Sequence, residues 1–85
     1  MANKKSEDMF EVWTTYDLGV ATALLCAGFE LRSLDKANPR KALFVFRKAR
    51  TIDGTANAYF ADQLKLNARS FFDQLKALKN RLYSE

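Results

Sequence analysis

The pattern of apolar and polar positions first predicts a short strand and a buried helix. Residues 9–13 include Phe, Val and Trp, side chains that favour extended backbone, and they predict the first strand. Thr14 or Thr15 can cap the helix that follows, and Asp17 stands three residues after Thr14, as in a capping box. No charged residue follows Asp17 before Ala27, where we expect the helix to end. The helix should therefore be buried on nearly every side.

A β-hairpin is predicted next, after a glycine that ends the helix. Gly28 lies where a residue in the left-handed conformation commonly terminates a helix. Residues 29–34 begin with an apolar–polar alternation that predicts a strand, and residues 41–48 predict its partner. The Asn-Pro pair within residues 35–40 favours a turn, so the two strands form an antiparallel hairpin.

Two more helices complete the predicted elements. Thr51 or Asp53 caps a second helix, whose apolar residues recur at helical spacing as far as Gln63. Asn67 caps a third helix that extends to about Tyr83. Five apolar residues are predicted to line the buried face of this last helix: Phe71, Phe72, Leu75, Leu78 and Leu82.

The element order (β)αββαα defines an α+β domain, in which a small antiparallel sheet with a central β-hairpin packs against three helices. We expect the polar, charged residues 1–8 to form a disordered tail and residues 9–85 to form a single domain. The 85-residue chain is 48% hydrophobic and contains seven phenylalanines. This apolar content is enough for a core without a metal ion or disulfides.

The composition argues against catalysis and metal binding. The sequence has no histidine, one cysteine, and three glycines that form no phosphate-binding loop. Cys26 lies in an apolar run, which is typical of a small buried residue. We therefore expect a non-catalytic protein with no metal site, no cofactor and no evident small-molecule substrate. The lack of paired cysteines and of an apolar run near ~20 residues predicts a cytoplasmic protein with no membrane partner.

The charges are distributed unevenly along the chain. Residues 1–35 carry three basic and six acidic residues, a net charge of −3. Residues 36–85 carry eleven basic and four acidic residues, a net charge of +7, which gives +4 for the whole chain. A basic half beside an acidic half suggests a polyanionic partner or head-to-tail self-association.

The strand predicted at residues 41–48 is the strongest candidate for a functional surface. It is apolar on both faces, because Leu43 and Val45 alternate with Phe44 and Phe46. Cations interleaved with aromatic rings suit single-stranded nucleic acid, since cations neutralise phosphates and ring faces stack on bases. The predicted nucleic-acid-binding residues are Lys36, Arg40, Lys41, Arg47, Lys48 and Arg50 for phosphates, with Phe44 and Phe46 stacking only if they are exposed.

Three other interpretations of this strand stay open. Helices could cover both of its apolar faces. The cations could simply be solvated, or could protect a sheet edge from aggregation. The chain could also form a homo-oligomer, most simply a dimer, through the hairpin edge or the C-terminal helix, which would bury the second face between copies.

The second half of the chain resembles the ribbon-helix-helix DNA-binding fold. Residues 43–48 are followed by helical patterns at residues 52–63 and from Asn67 onward. In that family a strand precedes two helices, and the paired strands of a dimer enter the major groove. The family's strand is N-terminal and carries polar base-reading residues, where Phe44 and Phe46 stand in this chain.

A second resemblance covers most of the chain. It is carried by Thr15-Tyr16-Asp17-Leu18, by a small-residue helix ending at Gly28, by Phe44-Val45-Phe46, and by Tyr59 with the lysine-bearing segment 72–78. These features are similar to an uncharacterised family of small bacterial and phage-associated α+β domains. The resemblance implies the domain boundaries and leaves the function open, because no activity is established for the family.

Overall fold

Three strands and three helices make up the computed structural model, which describes residues 11–38 and 40–84. The strands are β1 (Val12–Thr15), β2 (Leu31–Asp35) and β3 (Leu43–Arg47), and the helices are α1 (Leu18–Cys26), α2 (Ile52–Phe60) and α3 (Ala68–Ser84). The order βαββαα confirms the predicted α+β fold. The tail predicted at residues 1–8 lies outside the described residues. Within the described ranges, no helix combines the length and apolar character needed to cross a membrane.

β3 is the central strand of the sheet. The strand order is β1-β3-β2, and both pairings are antiparallel. Both neighbours of β3 therefore belong to its own chain, so the cations that flank it do not protect a sheet edge. For the same reason β3 is not free to form the intermolecular ribbon of the ribbon-helix-helix fold. The edge of the hairpin is β2, whose pairing with β3 is irregular between Leu31 and Ser33.

The core lies between one face of the sheet and the three helices. Phe44 and Phe46 point into it and are 2% and 0% exposed. They pack in one cluster with buried residues from all three helices: Val20, Ala21 and Leu24 of α1, Ile52 and Ala56 of α2, and Leu78 of α3. Leu43 and Val45 face the opposite side of β3 and are only half-buried. The core cluster therefore forms on one face of the sheet. This arrangement does not fit the interpretation that helices cover both faces of β3.

α1 begins later than predicted, because its N-cap lies two residues after Thr15 and three after Thr14. Asp17 is the N-cap, and its Oδ1 accepts a hydrogen bond from the Val20 N–H at 2.9 Å. Thr14 and Thr15 cannot fill this position because β1 continues through Thr15, which pairs with Phe44. Thr15 instead supports the cap, since its Oγ1 accepts a hydrogen bond from the Asp17 N–H at 3.0 Å. The prediction of a threonine N-cap was wrong.

The C-terminal end of α1 confirms the role predicted for Gly28. This residue has φ +97°, in the region that favours glycine. The Gly28 N–H donates to the Leu25 carbonyl at 3.1 Å, and the Phe29 N–H donates to the Leu24 carbonyl at 3.0 Å. These two bonds form a Schellman motif, which stops the helix and turns the chain toward β2.

α1 is the innermost helix, as its lack of charge predicted. Five consecutive residues, Val20 to Leu24, are buried. The one polar side chain among them, Thr22, is satisfied because its Oγ1 donates to the Leu18 carbonyl at 2.8 Å. Gly19 permits close approach of α2, since a Cβ at this position would collide with the Tyr59 hydroxyl. α1 therefore connects the sheet to both other helices.

Candidate nucleic-acid interface

The six predicted phosphate-binding residues separate into two groups at opposite ends of β3. Lys36, Arg40 and Lys41 lie in and around the β2–β3 turn, which we call the hairpin end. Arg47, Lys48 and Arg50 lie at and beyond the other end of the strand, the far end. The structure does not bring the six cations into one surface. Because Phe44 and Phe46 are buried, the condition set for their stacking on bases is not met.

The hairpin end forms a cleft of about 520 Å³ between the turn, the start of α1 and the last turn of α3. Three of its lining residues are the cations of the hairpin end, and two are tyrosines. The lining residues are Tyr16, Leu18, Lys36, Asn38, Arg40, Lys41, Ala42, Phe44, Leu82 and Tyr83. We call this the hairpin cleft. It combines positive charge with aromatic surface, which is the combination that β3 alone was expected to supply.

The fold brings the two tyrosines to the hairpin cleft from distant parts of the chain. The antiparallel pairing of Thr15 with Phe44 carries Tyr16 to the hairpin end of β3. Tyr83 arrives on the last turn of α3. Tyr16 is 53% exposed and Tyr83 is 78% exposed, so both rings present surface to solvent. Lys41 Nζ lies over the Tyr16 ring, 4.6 Å from its centroid, in a cation–π contact.

Lys36 joins the hairpin to α3. Its Nζ donates a hydrogen bond of 2.6 Å to the Leu82 carbonyl in the last turn of that helix. A cation is favourable there, because the carbonyls at a helix C-terminus lack helical partners and carry partial negative charge. Lys36 thus acts as a structural contact of the hairpin cleft, and Arg40 and Lys41 are the exposed cations of its wall.

The hairpin cleft keeps its positive charge because none of its described lining residues is acidic. Asp35 is close in sequence but lies opposite Leu43, on the outer face of the sheet. Its Oδ1 accepts a hydrogen bond from the Ala37 N–H at 3.0 Å, which holds the carboxylate in its own turn. A phosphate entering the cleft therefore meets cations without a competing carboxylate in the lining.

The far end is electrostatically different, because two acidic residues lie next to its cations. Glu11 precedes β1 and Glu30 precedes β2, and antiparallel pairing brings both to this end of β3. The Lys48 N–H donates to the Glu11 carbonyl at 2.9 Å, and the Arg47 N–H donates to the Glu30 carbonyl at 2.9 Å. The side chains of Arg47 and Glu30 also form an ion pair of 3.9 Å. The far end therefore carries less net positive charge than its sequence suggests.

Sequence reasoning missed both tyrosines of the hairpin cleft. Tyr16 stands between two residues with predicted roles at the helix cap, and Tyr83 stands at the predicted end of the last helix. The available signal was that each is an aromatic residue at the boundary of an element. Linking either ring to the cations required the strand order and the packing of α3.

The described residues give little support for a metal site or a reactive thiol. No group of three or more His, Cys, Asp or Glu side chains is placed to hold a metal ion within residues 11–38 and 40–84. Cys26 is half-buried, and this burial raises the pKa of its thiol above the ordinary value. A raised pKa reduces the fraction of reactive thiolate.

Comparisons with known proteins identify a family and no individual relative. Searches of the curated proteins and of the solved structures found no match. A family model described as "Domain of unknown function (DUF5659)" matches residues 11–84, which include all six elements of the fold. This match confirms the prediction of an uncharacterised family. The chain belongs to the DUF5659 family of domains of unknown function.

Proposed function

We propose that this domain is a non-catalytic accessory or regulatory module that binds nucleic acid through the hairpin cleft. The observation that carries the proposal is the meeting of three cations and two exposed tyrosines in one cleft with no acidic residue among its described lining. The net charge of +4 adds a weaker, longer-range attraction for a polyanion.

Phosphate contacts would come chiefly from Arg40 and Lys41. Both are exposed and lie on the turn, so they can meet a phosphate backbone without displacing core residues. Neutralising phosphates releases condensed counterions, which makes the affinity fall as salt rises. At the far end, Glu30 and Glu11 lie beside Arg47 and Lys48, so we expect a smaller contribution there.

The test compares two double variants that remove the same charge from opposite ends of β3. Binding of a labelled 16-nucleotide single strand, its RNA equivalent and a duplex is measured by fluorescence anisotropy between 50 and 200 mM salt. We expect Arg40→Ala with Lys41→Ala to weaken binding and to reduce the slope of log affinity against log salt by about 1.4 on single strands, at about 0.7 per phosphate contact. The matched control, Arg47→Ala with Lys48→Ala, should change the slope by less than half as much.

Two outcomes would contradict the proposal. The first is a wild-type protein that binds none of the three nucleic acids at 50 mM salt. The second is an equal loss in the two double variants, which would mean that overall charge and not the hairpin cleft attracts the ligand.

Self-association is the second candidate function. In its favour, Phe72 of the C-terminal helix is 57% exposed, and the β2 edge of the hairpin is unpaired within the sheet of the described residues. Pairing of two β2 edges or packing of two α3 faces would give a homodimer. Sedimentation velocity at high micromolar concentration tests this function, and a monomer at that concentration would count against it.

The proposed setting is bacterial or phage-associated and cytoplasmic. The first part rests on the resemblance carried by residues 15–18 and 44–46, and the second on the single cysteine of the chain.

A further inference from the structure

We propose that the hairpin cleft selects unpaired nucleotides, with a base stacked on Tyr16 and the adjacent phosphates held by Arg40 and Lys41. This inference rests on the proposed nucleic-acid function and adds the class of ligand: single strands, or single-stranded segments, in preference to duplex. Tyr83 would contact the same nucleotide from α3.

The geometry around Tyr16 favours a base beside a phosphate. Lys41 Nζ lies 4.6 Å from the centroid of the Tyr16 ring, and Tyr16 as a residue nevertheless remains 53% exposed. One part of the ring is thus occupied by an ammonium group while another part remains open. A base stacked on the open part places its own sugar-phosphate next to that ammonium. Ring and cation therefore act on two parts of a single nucleotide.

The size of the hairpin cleft supports the same ligand. Its volume of about 520 Å³ is within the range of roughly 300–1,000 Å³ that is usual for sites binding small molecules. A single nucleotide unit is a ligand of that class, and a duplex is not. In a duplex each base is covered by its neighbours, so its face reaches a protein ring only after unstacking. The tyrosines consequently add affinity for unpaired bases alone.

An acidic peptide is the occupant that the observations favour less. It would use Arg40 and Lys41 but would have no need of two exposed rings in the cleft wall. Flat π surfaces are complementary to bases of any sequence, and stacking of this kind contributes about 5- to 150-fold in affinity per base. We therefore expect little sequence specificity.

The experiment measures the contribution of the aromatic rings to affinity separately from the contribution of the charges. Anisotropy titrations between 50 and 200 mM salt compare a 16-nucleotide thymidine strand, an abasic strand of equal length and charge, and a duplex, for wild type, Tyr16→Ala and Tyr16→Phe. Wild type should bind the thymidine strand at least about 5-fold more tightly than the abasic strand. Tyr16→Ala should remove that difference and keep the salt slope, whereas Tyr16→Phe should preserve the difference. Tyr83→Ala gives a second, independent variant at the other end of the chain.

The outcomes distinguish this inference from the function on which it rests. If wild type binds no nucleic acid, the proposed function itself fails. If wild type binds thymidine and abasic strands equally and Tyr16→Ala changes nothing, the function survives and the inference is overturned. Competition by polyglutamate as effective as that by the thymidine strand would also overturn it, in favour of an acidic peptide. Far-ultraviolet circular dichroism of each variant confirms that the fold is retained.

Discussion

Replacing Phe46 with alanine is expected to lower the free energy of unfolding by about 3–5 kcal/mol. Phe46 is 0% exposed and lies in the central strand, where it belongs to a core cluster that includes residues of all three helices. It also contacts the ring of Trp13 edge-on, with the ring centroids 6.4 Å apart. Removing the Phe46 ring leaves a cavity that no single element can fill by moving. A loss of this size approaches the whole stability of a small domain, which is usually about 5–15 kcal/mol.

Urea unfolding followed by far-ultraviolet circular dichroism measures this effect. Val45→Ala is the matched control, since Val45 is the next residue of β3, points to the opposite face and is half-buried. We expect it to cost less than half as much as Phe46→Ala. If Phe46→Ala does not fold, Phe46→Leu provides a milder loss that can be measured against the same control. Equal losses at the two positions would contradict the one-sided core and would reopen the idea that the Phe46 face binds a ligand.

The second large effect is expected at Leu78, where alanine should cost about 2–5 kcal/mol. α3 has 17 residues, and of the five predicted to line its buried face only Leu78 is fully buried in the core, at 2% exposed. The prediction was wrong for Phe72, which is 57% exposed. Leu75 lies one turn earlier on the same helix and is only half-buried. Leu75→Ala is therefore a control with the same chemistry, the same helix propensity change and less loss of packing.

Hydrogen exchange shows whether the loss at Leu78 is local to α3. Amide protection should fall mainly in this helix, because Leu78 and the contact of Lys36 with Leu82 hold it to the rest of the fold. Nucleic-acid affinity should fall as well, since Leu82 and Tyr83 line the hairpin cleft. A cost for Leu75→Ala as large as that for Leu78→Ala would show that α3 is not anchored as described.

The element order and several local details follow from the sequence because short-range physics determines them. The uncharged run of α1 leaves burial as the only stable outcome. A glycine after an apolar helix predicted the left-handed helix end, which Gly28 forms within a Schellman motif. The helix cap was placed wrongly, however, because threonine and aspartate are both good caps and only the pairing of β1 with β3 decides between them.

The candidate site depended on long-range pairing that no local pattern reveals. The six cations all fall within residues 36–50, but β3 lies between the two groups and separates them. Glu11 and Glu30 reach the far end only through the strand order β1-β3-β2. The alternation along the strand places Phe44 and Phe46 on the same face. It does not determine which face the helices cover. The rings that line the cleft, Tyr16 and Tyr83, are 67 positions apart in the sequence and meet only through tertiary packing.

The most direct test of the central claim is a ¹H–¹⁵N correlation titration of the labelled protein with a 16-nucleotide thymidine strand. The hairpin cleft predicts that amide shifts concentrate at Tyr16, Leu18, residues 36–38 and 40–42, and the end of α3. Shifts that concentrate instead at residues 47–50, or a spectrum that does not change, would contradict the account.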